Sequence, residues 1–174
     1  MSSPKLSPLF DPAAFQQSHW QQRPLLLKQL IEFQDPLSAD ELAGLACEEG
    51  IESRLVRGEA NWQLQQGPIP ESELTQLPPS SWALLVQSVD LLFSEFKALK
   101  DLFQFIPSWR LEDVMASFAA PGGGVGPHFD YYDVFLIQGA GQRRWRLGKK
   151  CDSSTPVSTE SGLLLLKDFE QVED

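Results

Sequence analysis

The chain has 174 residues, 42% of them hydrophobic and 22% charged, and a formal net charge of −10 at pH 7. Its length suffices for one domain with a sizeable core, and its composition is that of a soluble globular protein. No apolar run approaches the ~20 residues that span a bilayer, residues 1–5 do not open a signal peptide, and the acidic charge argues against a protein that mainly binds a phosphate backbone.

These features predict a cytoplasmic protein that binds neither membranes nor nucleic acid directly. Its two cysteines, Cys47 and Cys151, lie far apart in the sequence and outside any metal-binding spacing. We therefore expect both to be reduced, unreactive thiols.

The first half of the chain is predicted to be mainly helical. A short helix is expected over residues 11–22, because the Arg-Pro pair at 23–24 ends it. The three leucines at 25–27 are typical of a short buried strand. Residues 38–41 (Ser-Ala-Asp-Glu) have the form of a capping box, which predicts a helix over residues 39–49 that ends at the following glycine.

Two short strands are predicted next, at residues 54–57 and 62–65, with a turn near Gly58. A long helix is then expected over residues 81–105, because its apolar side chains recur at helical spacing. We interpret this stripe as core packing. Its members are Trp82, Leu85, Val89, Leu92, Phe93 and Phe96.

After Pro107 the pattern changes to short β-type runs that are separated by glycine-rich and proline-containing turns. Helices followed by short antiparallel strands favour a mainly β fold with some α structure, as in a barrel or jelly roll with an N-terminal helical layer. An acidic tail, residues 168–174, closes the sequence. The predicted strands are 115–120, 134–137, 143–147 and 163–166.

The sequence His128-Phe-Asp130 is the strongest chemical signal. Residues i and i+2 of an extended segment point to the same side, about 6–7 Å apart at their Cα atoms. An imidazole and a carboxylate presented in this way are two thirds of the 2-His-1-carboxylate triad that binds non-haem Fe(II) and leaves positions open for a 2-oxo acid and dioxygen. Taken alone, the tripeptide also fits an ordinary surface pair.

The motif follows a glycine-rich stretch, residues 121–127. This stretch does not match a phosphate-binding loop, because no Gly-Lys-Ser/Thr follows and no helix is predicted after it. Glycines here let the backbone turn sharply beside a site. They equally fit a simple connection between two strands.

Downstream, the sequence Gln-Arg-Arg-Trp-Arg at 142–146 places Arg143 and Trp145 on one side of an extended segment. A buried guanidinium needs an anion, and a carboxylate can bind it through two hydrogen bonds. Arg143 lies one hairpin beyond His128, where it could hold the far carboxylate of a 2-oxo diacid. For Arg144 and Arg146 we favour the simpler role of surface charges.

These runs together resemble one family, the YcfD-type bacterial ribosomal oxygenases. These are cupin-fold members of the Jumonji-C group. The likeness is most specific at residues 117–146 and extends to 19–28, 35–46 and 53–56, so that it covers most of the chain.

The resemblance implies a partial double-stranded β-helix whose N-terminal helical and mixed part is 1–106 and whose incomplete jelly-roll core is 107–174. It implies Fe(II) bound by His128 and Asp130, and 2-oxoglutarate held by Arg143. The expected activity is hydroxylation of an arginine in large-subunit ribosomal protein sixteen, with a homodimeric parent protein. Substrate contacts are implied at the three residues that follow the motif, Tyr131, Tyr132 and Asp133, although ordinary strand packing would also account for them.

The family's third metal ligand, a later histidine, has no counterpart in this sequence. His19 is the other histidine of the chain, and in the family its segment is structural. We expect a truncated version of a longer oxygenase rather than a natural short form, and in either case a poor enzyme. Three alternatives stay open: hydroxylation of another residue such as histidine, a non-catalytic cupin-like module that binds metal or protein, and a domain that serves only in assembly.

Overall fold

The computed structural model describes residues 3–58 and 61–174. The strands are β1 (Lys5–Leu6), β2 (Ile31–Glu32), β3 (Ser53–Arg57), β4 (Gln63–Gln66), β5 (Trp82–Val86), β6 (Ala116–Ala119), β7 (Leu147–Gly148), β8 (Val157–Ser158), β9 (Leu165–Leu166) and β10 (Gln171–Glu173). The helices are α1 (Pro12–Ser18), α2 (Ala39–Cys47), α3 (Glu71–Leu74) and α4 (Ser94–Asp101), with 3-10 turns at Val89–Leu91 and Ser108–Arg110. Within the described part of the chain, no helix is long and apolar enough to cross a membrane.

These elements form two compact units. The first combines the chain up to Pro36 with Ser88–Met115, and the second combines Leu37–Gln87 with Ala116–Asp174. The first unit holds the β1–β2 ladder, α1, α4 and both 3-10 turns. The division at residues 106 and 107 that the family resemblance implies stays a prediction.

Helix α1 of the first unit begins within one residue of its predicted start and is capped by Asp11. The Asp11 carboxylate accepts hydrogen bonds from the backbone N–H groups of Ala13 and Ala14 at 2.9 and 3.1 Å, which satisfies two amides that have no partner within the helix. The predicted helix is thus confirmed, but it ends at Ser18, four residues earlier than expected.

The predicted strand at residues 25–27 is wrong. Leu25, Leu26 and Leu27 are 42%, 78% and 38% exposed and adopt no strand. A strand requires a neighbour to accept and donate its backbone hydrogen bonds. In the first unit β1 pairs instead with β2, which lies a few residues farther along.

The second unit is built on a four-stranded antiparallel sheet in the order β4-β3-β5-β6. The prediction of strands around Gly58 is confirmed. Gly58 itself has a positive φ of 107°, and the rest of the predicted turn, at residues 59 and 60, lies outside the described residues. Helix α2 packs on β5 and begins with the predicted capping box, in which Ser38 and Glu41 bond each other's backbone N–H groups.

One face of this sheet carries a small core of Val56, Ala83 and Leu85. Five partly buried side chains from β4, β6 and the loops pack against this core: Trp62, Leu64, Ala119, Val125 and Leu163. Val125 shortly precedes the His-x-Asp motif, and Leu163 shortly precedes β9. Their packing in this core therefore ties both segments to the sheet.

The predicted helix over residues 81–105 is wrong in its first half. Residues 82–86 form the central strand β5, with Ala83 through Val86 all buried. A short apolar run buried on both faces has no periodicity that separates strand from helix. Ser88 then adopts a left-handed φ of 56°, which interrupts a right-handed helix, and α4 begins only at Ser94.

The strands predicted at 134–137 and 143–147 are also wrong as regular structure. Only Leu147 is in a strand, β7, and no strand pair of the described residues includes 134–137. Val134, Leu136 and Ile137 are 51%, 54% and 39% exposed. The strand propensity of these residues is therefore not matched by hydrogen-bonding neighbours. The predicted strands at 115–120 and 163–166 are confirmed as β6 and β9, and the acidic tail adds β10, which pairs with β7.

Candidate active site

The glycine-rich stretch leads from β6 to His128 and is held by a backbone hydrogen bond at each end, one from the residue before β5 and one from β9. The Pro121 carbonyl oxygen accepts a hydrogen bond from the Ser81 N–H at 2.9 Å, and the Pro127 carbonyl oxygen accepts one from the Leu166 N–H at 2.8 Å. Backbone hydrogen bonds of this kind leave little freedom in the path of the chain. The motif that follows is therefore presented from an ordered connection.

Gly123 is required by close approach of the backbone. A Cβ atom placed there would overlap the carbonyl oxygen of Trp82 and lie 2.9 Å from the carbonyl oxygen of Ala120. At Gly124, by contrast, a Cβ atom would meet nothing within 4 Å. These adjacent glycines have different roles: the first fits a narrow space beside β5, and the second faces open space.

We expect Gly123→Ala to lower the free energy of unfolding by about 1–3 kcal/mol, because the backbone must shift to admit the methyl group. Gly124→Ala, the matched control, should change it by less than about 1 kcal/mol. Urea unfolding followed by tryptophan fluorescence measures both. Equal unfolding free energies for the two variants would contradict the packing argument.

His128 and Asp130 are brought together as predicted from their spacing. The His128 Nε2 atom lies 3.9 Å from Asp130 Oδ2, with the two side chains 36% and 37% exposed. The other imidazole nitrogen, Nδ1, lies 2.9 Å from the Gly126 carbonyl oxygen. Because a carbonyl oxygen only accepts hydrogen bonds, this contact favours the tautomer with the proton on Nδ1, which leaves Nε2 free to act as a metal ligand.

The aromatic rings on either side of Asp130 are also in contact. The Phe129 and Tyr131 rings form an edge-to-face pair with centroids 5.2 Å apart. Side chains two residues apart thus meet in both pairs, 128 with 130 and 129 with 131, although these residues form no strand. The proximity of His128 and Asp130 therefore needs no completed sheet.

The three predicted substrate residues follow the motif on an exposed bend. Tyr131 and Tyr132 are 74% and 66% exposed, and Asp133 is also exposed. Residues 131–133 lie outside every strand of the described chain, so strand packing does not account for them. Their role in substrate binding stays a prediction.

Arg143 lies over β6 rather than in a strand of its own. Its Nη1 donates a hydrogen bond to Ser117 Oγ at 3.0 Å, and its guanidinium carbon lies 5.9 Å from the centroid of the Trp145 ring. Arg143 is exposed to solvent, and the protein atoms near its guanidinium desolvate the cation only in part, which lowers the pKa of Arg143. No carboxylate among the described residues offsets this cost with an ion pair to Arg143.

The two other arginines of the run differ from Arg143 as expected. Arg144 pairs with Asp174 through two hydrogen bonds, and this partner raises the pKa of the guanidinium. Arg146 lies 6.0 Å from the centroid of the Phe169 ring. Arg143 is thus the member of the run that holds a hydroxyl and an aromatic face but lacks an anion.

Ser117 is the site residue that sequence reasoning missed. It precedes Arg143 by 26 residues, and their proximity depends on how residues 142–146 cross β6. Its place in the middle of an otherwise apolar strand, between Ala116 and Phe118, was the available signal.

A third metal ligand is not found near His128 and Asp130. Among residues 3–58 and 61–174, no three His, Cys, Asp or Glu side chains cluster closely enough to hold a metal ion. His19 lies in the first unit at the end of α1, where its N–H bonds the Phe15 carbonyl oxygen.

Comparison with known proteins identifies relatives of the chain. A family model described as a JmjC domain matches residues 98–174. The ribosomal protein uL16 3-hydroxylase of Escherichia coli K12 is 49% identical over 138 residues, which cover 78% of this chain and 36% of that protein. The probable ribosomal oxygenase of Haemophilus influenzae is 36% identical over 161 residues, covering 91% of this chain and 40% of that protein.

Solved structures extend the match over nearly the whole chain. The X-ray structure of E. coli YcfD superposes with a TM-score of 0.90 at 42% identity, covering 99% of this chain and 46% of that one. YcfD in complex with cobalt and 2-oxoglutarate matches with a TM-score of 0.84, also at 42% identity, covering 99% and 44%. The chain thus spans less than half the length of these relatives.

These matches confirm the predicted fold class, a mainly antiparallel β structure of the cupin or jelly-roll type with added helices. They also confirm the predicted family. The chain is a homologue of the YcfD-type ribosomal oxygenases of the JmjC group.

Proposed function

We propose that the chain carries the metal-binding and co-substrate-binding part of an Fe(II)- and 2-oxoglutarate-dependent protein hydroxylase. The observation that carries this proposal is the pair of His128 Nε2 and Asp130 Oδ2, which face each other 3.9 Å apart. The homologue YcfD has been crystallised with cobalt and 2-oxoglutarate. This supports binding of a metal ion and 2-oxoglutarate by the present chain.

The two side chains fit a common metal ion. First-row metals bind imidazole nitrogen and carboxylate oxygen at about 2.0–2.2 Å, so two donors of one ion can be at most about 4 Å apart. The observed separation of 3.9 Å lies within that limit. The Nδ1 contact with Gly126 supplies the outer hydrogen bond that orients a ligating imidazole.

Arg143 fits the far carboxylate of 2-oxoglutarate. A guanidinium without an anionic partner gains most from a ligand that brings two negatively charged oxygens, because such hydrogen bonds are charge-assisted and can form in parallel. Ser117 and Trp145 restrict the guanidinium from two sides. The anchor is thus oriented before the ligand arrives.

We infer that the acceptor of the oxygen atom is an arginine of ribosomal protein uL16. The E. coli homologue is named for hydroxylation of that protein, and the similarity extends through the His-x-Asp block. Tyr131, Tyr132 and Asp133 are exposed beside the metal ligands, where they can contact the substrate. A homodimeric parent protein stays a prediction.

In this mechanism the residues of the chain orient the bound groups, and the bound groups carry out the reaction. When bound, iron and 2-oxoglutarate supply the oxidising power for hydroxylation of a carbon, with dioxygen consumed and succinate and carbon dioxide released. His128 and Asp130 would hold the metal through an imidazole nitrogen and a carboxylate oxygen. Arg143 would fix the direction of the co-substrate by binding its far carboxylate.

A second candidate function is a binding module without catalysis. It is favoured by one observation, that the described residues contain only two clustered metal ligands. The two candidates differ in turnover. The chain is incubated with Fe(II), 2-oxoglutarate and uL16, and the arginine-containing peptides of uL16 are then analysed by mass spectrometry. Addition of one oxygen atom to such a peptide would support the hydroxylase. Binding of metal and 2-oxoglutarate without oxygen incorporation would favour the module.

Ser117 is expected to act as a positioning residue for Arg143. Ser117→Ala removes the hydrogen bond to Nη1, a contact worth about 0.5–1.5 kcal/mol, and should raise the dissociation constant of 2-oxoglutarate roughly 2–10-fold. Cobalt affinity should not change. Calorimetric titration measures both affinities.

Ser117→Thr retains the hydroxyl and should restore 2-oxoglutarate affinity. Ser154→Ala, in an exposed turn where Ser154 bonds Asp152, is the control and should bind 2-oxoglutarate like the unaltered chain. If Ser117→Ala binds equally well, Ser117 has no part in orienting the arginine.

A further inference from the structure

A concave surface lies on the face of the four-stranded sheet opposite Arg143. Neighbouring strand residues point to opposite faces, and Ser117 and Phe118 are neighbours on β6. Phe118 lies 5.5 Å from Trp82, ring centroid to centroid. Together with α2 and α3 these rings form a groove, named here the α2–β6 groove. Its main lining residues are Asp40, Ala43, Leu74, Leu77, Trp82 and Phe118.

The groove is suited to side chains rather than to a cofactor. Its volume is about 270 Å³, just below the ~300–1,000 Å³ of small-molecule pockets. Apart from Asp40, its main lining is apolar. One or two apolar side chains of a polypeptide would fill it, with Asp40 at the side to meet a neighbouring cation.

The stretch of sequence that supplies most of the groove is acidic, and Asp40 is its charged lining residue. Residues 37–87 contain eight acidic and two basic side chains, a net charge of −6 out of −10 for the chain. Both basic side chains are already bonded: Arg54 donates to Gln87 Oε1 at 2.7 Å, and Arg57 pairs with Glu73 and Gln65. No Lys or Arg from the described ranges lines the groove.

We propose that the α2–β6 groove docks a basic segment of the ribosomal-protein substrate, one in which an apolar side chain stands next to Lys or Arg. This inference rests on the proposed function, which supplies the substrate class. Proteins that bind ribosomal RNA neutralise its phosphates with Lys and Arg, so such a substrate complements an acidic apolar groove. A second attachment point raises the effective concentration of the reacting segment at the metal site.

Charge reversal within the groove tests the proposal. Asp40→Lys should raise the dissociation constant of purified uL16 for the 174-residue chain at least about tenfold. Glu49→Lys is the matched control, because Glu49 is exposed beyond the end of α2 and its reversal gives the same net charge. It should change binding less than about twofold at the same ionic strength, measured by fluorescence anisotropy.

Leu77→Gln tests the apolar half of the groove without changing charge and should also weaken uL16 binding severalfold. Circular dichroism before each titration verifies that the variants are folded. Equal effects of Asp40→Lys and Glu49→Lys, or no binding of uL16 to the unaltered chain, would overturn the docking site. Failure of the proposed function is a separate result: the unaltered chain would then bind neither cobalt nor 2-oxoglutarate.

Discussion

Replacing His128 with alanine is expected to weaken cobalt binding by more than about 100-fold. Loss of only the outer hydrogen-bond partner of a metal ligand already lowers metal affinity by about 10–100-fold, and this variant removes a ligand itself. His128 supplies one of two clustered donors, and Asp130 alone would hold the ion as a single carboxylate. Calorimetric titration of Co(II) into the unaltered and variant chains measures the loss.

His19→Ala is the matched control for this variant. His19 is the only other histidine in the sequence, and it lies in the first unit, where its ring stacks on Phe15 with centroids 6.3 Å apart. Its removal should leave cobalt affinity within about twofold of the unaltered chain, with unfolding measured in parallel because α1 loses a contact. Equal loss of cobalt binding in both variants would mean that His128 is not a specific ligand.

Arg143→Ala is expected to weaken 2-oxoglutarate binding by about 10–100-fold, the equivalent of a charged hydrogen bond worth about 1.5–3 kcal/mol. The guanidinium has a hydroxyl and an aromatic neighbour in place, so it pays little to become ordered when the ligand binds. Arg143→Lys should give an intermediate affinity, because an ammonium group keeps the charge but not the planar pair of donors.

Arg144→Ala separates a specific anchor from general positive charge. Arg144 is adjacent in sequence, and its side chain is 75% exposed and already paired with Asp174. Its removal should leave 2-oxoglutarate affinity unchanged. If Arg144→Ala and Arg143→Ala weaken binding alike, the run attracts the ligand only through its summed charge.

The proximity of His128 and Asp130 could be predicted from sequence because it is local. Side chains two residues apart can meet whatever the strand pairing, and they do so in the 128–131 segment, which belongs to no sheet. The capping box of α2 was predictable for the same reason, since Ser38 and Glu41 satisfy each other's backbone groups within one turn.

Features that depend on distant partners were not predictable in this way. Residues 82–86 read as helix because an apolar run buried on both faces has no period, and only its pairing with β3 and β6 makes it a central strand. Residues 25–27 and 134–137 have strand propensity, yet a strand forms only where a neighbour supplies hydrogen bonds. Contact between Arg143 and Ser117 likewise required the folded chain.

The central claim is that His128, Asp130 and Arg143 serve one ligand pair, a metal ion and 2-oxoglutarate. The most direct test is calorimetric titration of 2-oxoglutarate into the 174-residue chain with and without saturating Co(II). Chelation to the metal adds contacts that Arg143 alone cannot provide, so cobalt should tighten 2-oxoglutarate binding at least about tenfold, and His128→Ala should abolish that gain. The same affinity with and without cobalt would contradict a shared site.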